Sequence, residues 1–189
     1  MKKLALFFVA MLMSTTFFAQ EHLDFRGVPI DGHLENFISK MEGLGYKLTK
    51  IVDNAAIMSG KFTNKNAELI ILASPKTKTV WKVAVSLDEA VSWSSLKSSY
   101  REYKELYTKK YGTPSNSFEY FKEPYYEGDG YELQALRKEK CTYMTYYELE
   151  TGYVIVKMTS SGRISLGYED KKNTDLDTAE STSSALDDI

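Results

Sequence analysis

Apolar and polar positions alternate along this chain with two different periods, and the changes of period mark the elements. Leu34, Phe37, Ile38, Met41 and Leu44 recur at the spacing of one helix face, with Asp31 or Gly32 able to cap the start and Gly43 and Gly45 marking the end. Before that helix, Glu21 to Asp31 reads as a short extended piece with a turn, because Pro29 forces its predecessor out of helical dihedrals. From Tyr46 to Asp88 the period shortens to two, predicting strands at Lys47 to Asp53, Ala55 to Phe62, Glu68 to Ser74 and Thr79 to Leu87. The gaps between them are short and polar, which suits hairpins rather than helical crossovers, so this stretch reads as an antiparallel meander. Leu69-Ile70-Ile71-Leu72 is continuously apolar and predicts a central strand covered on both faces.

The pattern then runs through a second cycle. Ser92 can cap a helix to Tyr111, on which Leu96, Tyr100, Tyr103, Tyr107 and Tyr111 form one stripe before Gly112 and Pro114 stop it. Ser117 to Phe121 reads as a strand, Tyr125 to Gly130 as a loop and Tyr131 to Lys138 as a short helix. Three further strands follow at Thr142 to Leu149, Tyr153 to Thr159 and Arg163 to Tyr168, joined by Glu150-Thr151-Gly152 and Ser160-Ser161-Gly162. The expected class is therefore α+β, with a helix and then antiparallel strands, twice. Two arrangements fit: similar halves near 25–90 and 92–170, or one continuous sheet packed by two main helices whose halves share only their alternation. No Gly-, Pro- or Ser-rich linker separates the halves, so a shared core is expected over 20–170.

Both ends depart from this pattern. Of 81 apolar residues among 189, Met1 to Ala19 holds 14; Lys2 and Lys3 precede an unbroken apolar run from Leu4 to Met13, the layout of a secretory signal peptide. That run is too short to span a bilayer, which takes about 20 residues. Cleavage is expected after Ala19, within a few positions because Phe17 is bulkier than the usual small residue, which implies a periplasmic or secreted protein with no membrane span. Lys171 to Ile189 holds five acidic residues, two Lys and only Leu176, Leu186 and Ile189 as large aliphatics, so an acidic disordered tail is expected there.

Removing 1–19 leaves 22 basic and 26 acidic residues, a balance that argues against a nucleic-acid partner, which needs a positive field to release counterions. Cys141 is the only cysteine, so no intramolecular disulfide forms. The chain has no Gly-x-Ser-x-Gly, His-Glu-x-x-His, Cys-x-x-Cys or Gly-rich phosphate loop, and no cofactor or metal is implied. Its histidines are His22, expected on a frayed end, and His33, at a helix start where the dipole disfavours positive charge. Cys141, without a visible His partner, reads as a small buried hydrophobe.

Tyrosine is the strongest compositional signal: of 14, only Tyr46 precedes residue 100. Tyr100, Tyr103 and Tyr107 are expected to fill the groove between helix and sheet. Tyr125, Tyr126 and Tyr131 flank the glycine-hinged Glu127-Gly128-Asp129-Gly130, and these three tyrosines with Glu127 and Asp129 form the candidate contact site. The spacing does not match a twelve-residue calcium loop. Paired carboxylates here, with Glu132, could serve a hydrolase of glycans or peptides, but no further residue supports that chemistry.

Several segments together carry a resemblance: Phe25-Arg26-Gly27-Val28-Pro29-Ile30-Asp31-Gly32, Trp93-Ser94-Ser95-Leu96, Lys110-Tyr111-Gly112-Thr113-Pro114, Cys141 before a strand, and Tyr168-Glu169-Asp170-Lys171-Lys172-Asn173. They resemble an uncharacterised family of exported proteins of gut Bacteroidetes, which implies export but no activity. In pattern alone the chain is also similar to small periplasmic modules such as the beta-lactamase inhibitor protein. Asp177-Thr178-Ala179 resembles the short motif at which Bacteroidetes attach O-glycans, which would make Thr178 a modification site. The resulting expectation is a non-catalytic binding module that meets a protein, peptide or glycan through a sheet face or through the Tyr125 to Tyr131 loop. A carboxylate-dependent hydrolase is the alternative.

Overall fold

The computed structural model describes residues 21–187. The leader and its cleavage point lie outside the described residues. In chain order the elements are β1 (Asp24–Phe25), β2 (Val28–Pro29), α1 (Leu34–Gly43), β3 (Lys47–Val52), β4 (Ala55–Phe62), β5 (Lys65–Ala73), β6 (Val80–Leu87), α2 (Trp93–Tyr111), β7 (Asn116–Phe121), α3 (Glu132–Arg137), β8 (Cys141–Leu149), β9 (Gly152–Met158), β10 (Ile164–Asp170) and α4 (Lys171–Asp187). The class is mixed α+β, with more sheet than helix. β1 and β2 form a small hairpin, and the other eight strands form one antiparallel sheet in the order β3-β4-β5-β6-β10-β9-β8-β7. Consecutive strands pair everywhere except at the middle, where β6 lies against β10 and Ala84 faces Gly167.

Local chemistry explains where the elements begin and turn. His33 is the N-cap of α1, its Nδ1 accepting the Glu35 N–H at 3.4 Å. Ser92 and Ser95 make a reciprocal capping box at the start of α2. β4 and β5 are joined through Thr63 and Asn64, both in the left-handed region (φ 47° and 64°), the conformation that matches a two-residue hairpin to strand twist. On β4, a Cβ at Gly60 would stand 2.4 Å from the Tyr46 ring, so only glycine lets that ring lie flat on the strand.

The core lies on one side of the sheet. α1 contributes Leu34, Phe37, Ile38 and Met41, and α2 contributes Leu96, Tyr100, Tyr103 and Tyr107, as its stripe predicts. They meet Met58, Leu69, Ile71, Val83, Val85, Leu166, Val154 and Val156 from the strands. Aromatic edges fix the packing: Phe25 meets Tyr168 edge-on at 5.1 Å, and Tyr100 meets Tyr143 at 5.4 Å. Buried phenols are partnered: Tyr100 with the Thr145 hydroxyl at 2.6 Å, Tyr147 donating to the Lys104 carbonyl at 2.9 Å, and Tyr107 with Tyr168. Burial, the dominant effect, pushes the Tyr100 hydroxyl up to about 12.

Three sequence expectations are corrected. Residues 171–187 form α4, not a disordered tail, because polar pins replace the missing apolar stripe. Asp170 accepts the Asn173 N–H at 2.9 Å as a cap, and the Asn173 amide donates to the carbonyls of Ile30 and Val80. Farther along, the Glu180 carboxylate accepts from the Lys76 N–H at 2.7 Å and from the Thr77 hydroxyl at 2.7 Å. Burial pushes the Glu180 carboxyl up, but the bonds from Thr77 and Lys76 outweigh it and hold it down to about 2. Secondly, His22 is not frayed: its Nδ1 lies 3.2 Å from the buried Asp170 carboxylate, which also accepts the Leu23 N–H at 2.8 Å. Thirdly, β5 is covered on one face only: Leu69 and Ile71 are fully buried while Ile70 and Leu72 remain partly exposed. Among the described residues no helix is long and apolar enough to cross a membrane.

Candidate functional sites

The loop singled out from the sequence lies between β7 and α3 on the helix side of the sheet. Asp129 organises it, accepting the backbone N–H of Tyr131 at 2.7 Å and of Tyr126 at 3.1 Å, while Glu132 accepts the Gly128 N–H at 2.9 Å. Glu127 pairs with Lys97 of α2 and accepts the Tyr143 hydroxyl at 3.3 Å. Its carboxyl is held below the ordinary carboxylate range, chiefly by the Lys97 hydrogen bond. Tyr125 packs against the core, whereas Tyr126 and Tyr131 are 65% and 60% exposed.

Glu127, Asp129 and Glu132 therefore each accept from different donors and are engaged as structural acceptors. Glu127 is kept ionised by its lysine, the opposite of what a general acid needs. Among the described residues no group of three or more His, Cys, Asp or Glu side chains is placed to hold a metal ion. Cys141 is buried at the start of β8, and burial, with Glu127 and Glu132 adding to it, pushes its thiol up to about 12, so it has no thiolate character at neutral pH. Thr178 is exposed on α4 and its hydroxyl donates to the Thr174 carbonyl at 2.9 Å.

The second surface is the sheet face turned away from α1 and α2. Register places Ile57, Ile70, Ala84, Gly167, Ile155 and Tyr146 in one row across six adjacent strands of this face. A parallel row runs Ser59, Glu68, Ser86, Ser165, Lys157, Met144 and Phe118. Small residues at the centre, Ala84 on β6 with Ser165 and Gly167 on β10, lie beside the bulkier Ile155 of β9 and Met144 and Tyr146 of β8, and together they line a depression of about 270 Å³. Lys82 and Glu169 pair across it. Phe118, 44% exposed, meets Tyr146 edge-on at 6.2 Å and extends the apolar surface to the β7 edge.

Which residues make up this face is harder to see in the sequence. The signal is apolar residues in both phases of a strand, as in Val83-Ala84-Val85 and Val154-Ile155-Val156, in a chain with too few apolar helices for a second layer. The loop and the open face lie on opposite sides of the sheet, so they are separate candidates.

Fold and surfaces together define a mixed α+β protein with a one-sided antiparallel sheet. No family model, no curated protein and no solved structure matches the chain.

Proposed function

We propose that this protein is an exported, non-catalytic binding module whose contact surface is the open face of the eight-stranded sheet. One observation carries the reading: the row from Ile57 through Ile70, Ala84, Gly167 and Ile155 to Tyr146 is apolar, continuous across the sheet and left without a covering layer. A contiguous apolar surface of this extent on an otherwise polar exterior marks an interaction site. The element order, a helix and then antiparallel strands on each side of the β6–β10 seam, supports reading 25–90 and 92–170 as two similar halves that build the face jointly. The hydrolase alternative gains no support, because the loop carboxylates hold structure. Export rests on the apolar leader of residues 1–19.

The test is photocrosslinking in the native host with a benzophenone amino acid placed at Ile155 on the open face or at Tyr126 in the loop. Adducts from position 155 and none from 126 support the reading. Adducts from 126 alone would move the contact to the loop, and none from either position would remove the binding role.

A further inference from the structure

We infer that the open face receives a protein surface presenting a bulky apolar side chain flanked by carboxylates; this rests on the binding reading above and names the partner's chemistry. The charge on the face has the opposite sign to the charge on the chain. Register places Lys47 opposite Ser59, Lys50 opposite Ile57 and Lys61 opposite Asn66 on the open side of β3 and β4, with Lys157 on β9. None of these four has an ion-pair partner among the described residues, whereas Lys82 is matched by Glu169. Against them stand Glu68 and Glu148 on the strands and Asp88 just past β6, which shares a hollow with Lys47, Lys61 and Arg163, so the face stays net positive on a chain of formal charge −2.

The central depression, floored by Ala84, Ser165 and Gly167 and walled by Met144, Tyr146 and Ile155, has room for one large side chain. A buried anchor surrounded by a charged rim is the usual anatomy of a protein interface. Eight strands about 4.8 Å apart and about six residues long give a face of roughly 700 Å², close to the roughly 800 Å² each partner contributes to a standard interface. A second copy of this chain would bring another net-positive face against the first, which like-charge repulsion opposes. A polyanion without apolar groups would meet the lysines and leave the Ile57, Ile70 and Ile155 row uncovered.

The test uses the ¹⁵N-labelled protein and four short synthetic peptides: a Trp flanked by Asp and Glu, a Trp flanked by Ser, a Trp flanked by Lys, and the acidic sequence with Ala in place of Trp. The acidic Trp peptide is expected to shift the amides of Ile70, Ala84, Ile155 and Gly167 and to bind about ten-fold more tightly than the Ser-flanked one, an advantage that falls with added salt. The Lys-flanked and Trp-free peptides are expected not to bind. Lys50→Glu with Lys61→Glu should erase the ten-fold advantage while keeping the Ser-flanked affinity and the thermal melt. Ala84→Trp should block both Trp peptides by filling the depression.

Equal affinity for Ser- and acid-flanked peptides, with shifts on the face, would overturn the acidic partner and leave the docking reading intact. No shifts on the face with any peptide would overturn both. Binding of the Trp-free acidic peptide as tightly as its Trp counterpart would assign the face to a polyanion. A dimer seen by sedimentation velocity and dissolved by Ala84→Trp would assign it to a second copy.

Discussion

The two faces of one sheet share the same strands, and neighbouring residues on a strand have opposite fates. On β9, Val154 and Val156 are fully buried under α2, while Ile155 between them is half-buried on the open side. On β5, Leu69 and Ile71 are sealed while Ile70 and Leu72 are not. Residue type is nearly the same on both sides, so hydrophobicity alone does not distinguish them. The distinction lies in what the rest of the chain provides: α1 and α2 have apolar stripes for one layer, and α4, the remaining long helix among the described residues, has none. An apolar side chain thus means core where a helix covers it and stays open to solvent where none does.

The two faces differ most in their response to a pair of truncations on β5. Leu69→Ala should cost about 3 kcal/mol, a transfer loss plus a sealed cavity, whereas Ile70→Ala should cost about 1 kcal/mol because water already reaches the site. Urea unfolding of both variants measures the difference, and equal costs would mean that the open face is covered in solution. The next pair uses glycines. A Cβ at Gly152 would stand 2.1 Å from the Glu169 carbonyl oxygen, so Gly152→Ala should cost about 2 kcal/mol through forced backbone movement. A Cβ at Gly167 meets Ile155 at an ordinary 3.6 Å, and Gly167→Ala should change the melting temperature very little.

A smaller effect sharpens the contrast between α4 and the stripe-packed helices. The Glu180 carboxyl sits at about 2 in the fold against an ordinary 4.5, so its stabilising contribution is complete above pH 4.5 and fades as pH falls towards 2. Amide exchange within 171–187 should therefore accelerate across that window before exchange in α2 does. Glu180→Gln should accelerate it at neutral pH, by a loss of about 1 kcal/mol, with a weaker acid dependence. If α4 and α2 open together at every pH, the pins are not what hold α4. The smallest effect concerns Cys141: with its thiol pushed up to about 12, iodoacetamide at pH 8 should leave the native protein unlabelled and modify it only in denaturant, as mass spectrometry would show.

Much of the scaffold was legible because period and punctuation coincide. Leu34 to Met41 and Leu96 to Tyr107 announce helices, and Thr63-Asn64 and Ser92 mark a turn and a cap. The two-residue alternation of β8 shows which side chains share a face. What it could not show is which face would gain a helix layer, so Leu69 to Leu72 read as doubly covered. α4 was invisible because Asn173 and Glu180 bind partners more than 90 residues away in sequence. Tyr125 to Gly130 reads as a loop with tyrosines beside acids, and it is one. Its carboxylates turned out to serve the loop's own backbone and Lys97, and no spacing rule reveals that.

The seam between β6 and β10 also bears on how the chain reaches this structure. Every other neighbouring pair in the large sheet joins strands consecutive in sequence, so β3 to β6 and β8 to β10 can zip up through short turns, and β7 joins β8 across the segment that carries α3. Ala84 and Gly167, by contrast, must find each other across a separation of 83 residues. Closing that long loop carries the largest entropic penalty among the pairings of the sheet, which works against early formation of the seam. The depression on the open face is floored by the seam itself, so it exists only where that pairing is made.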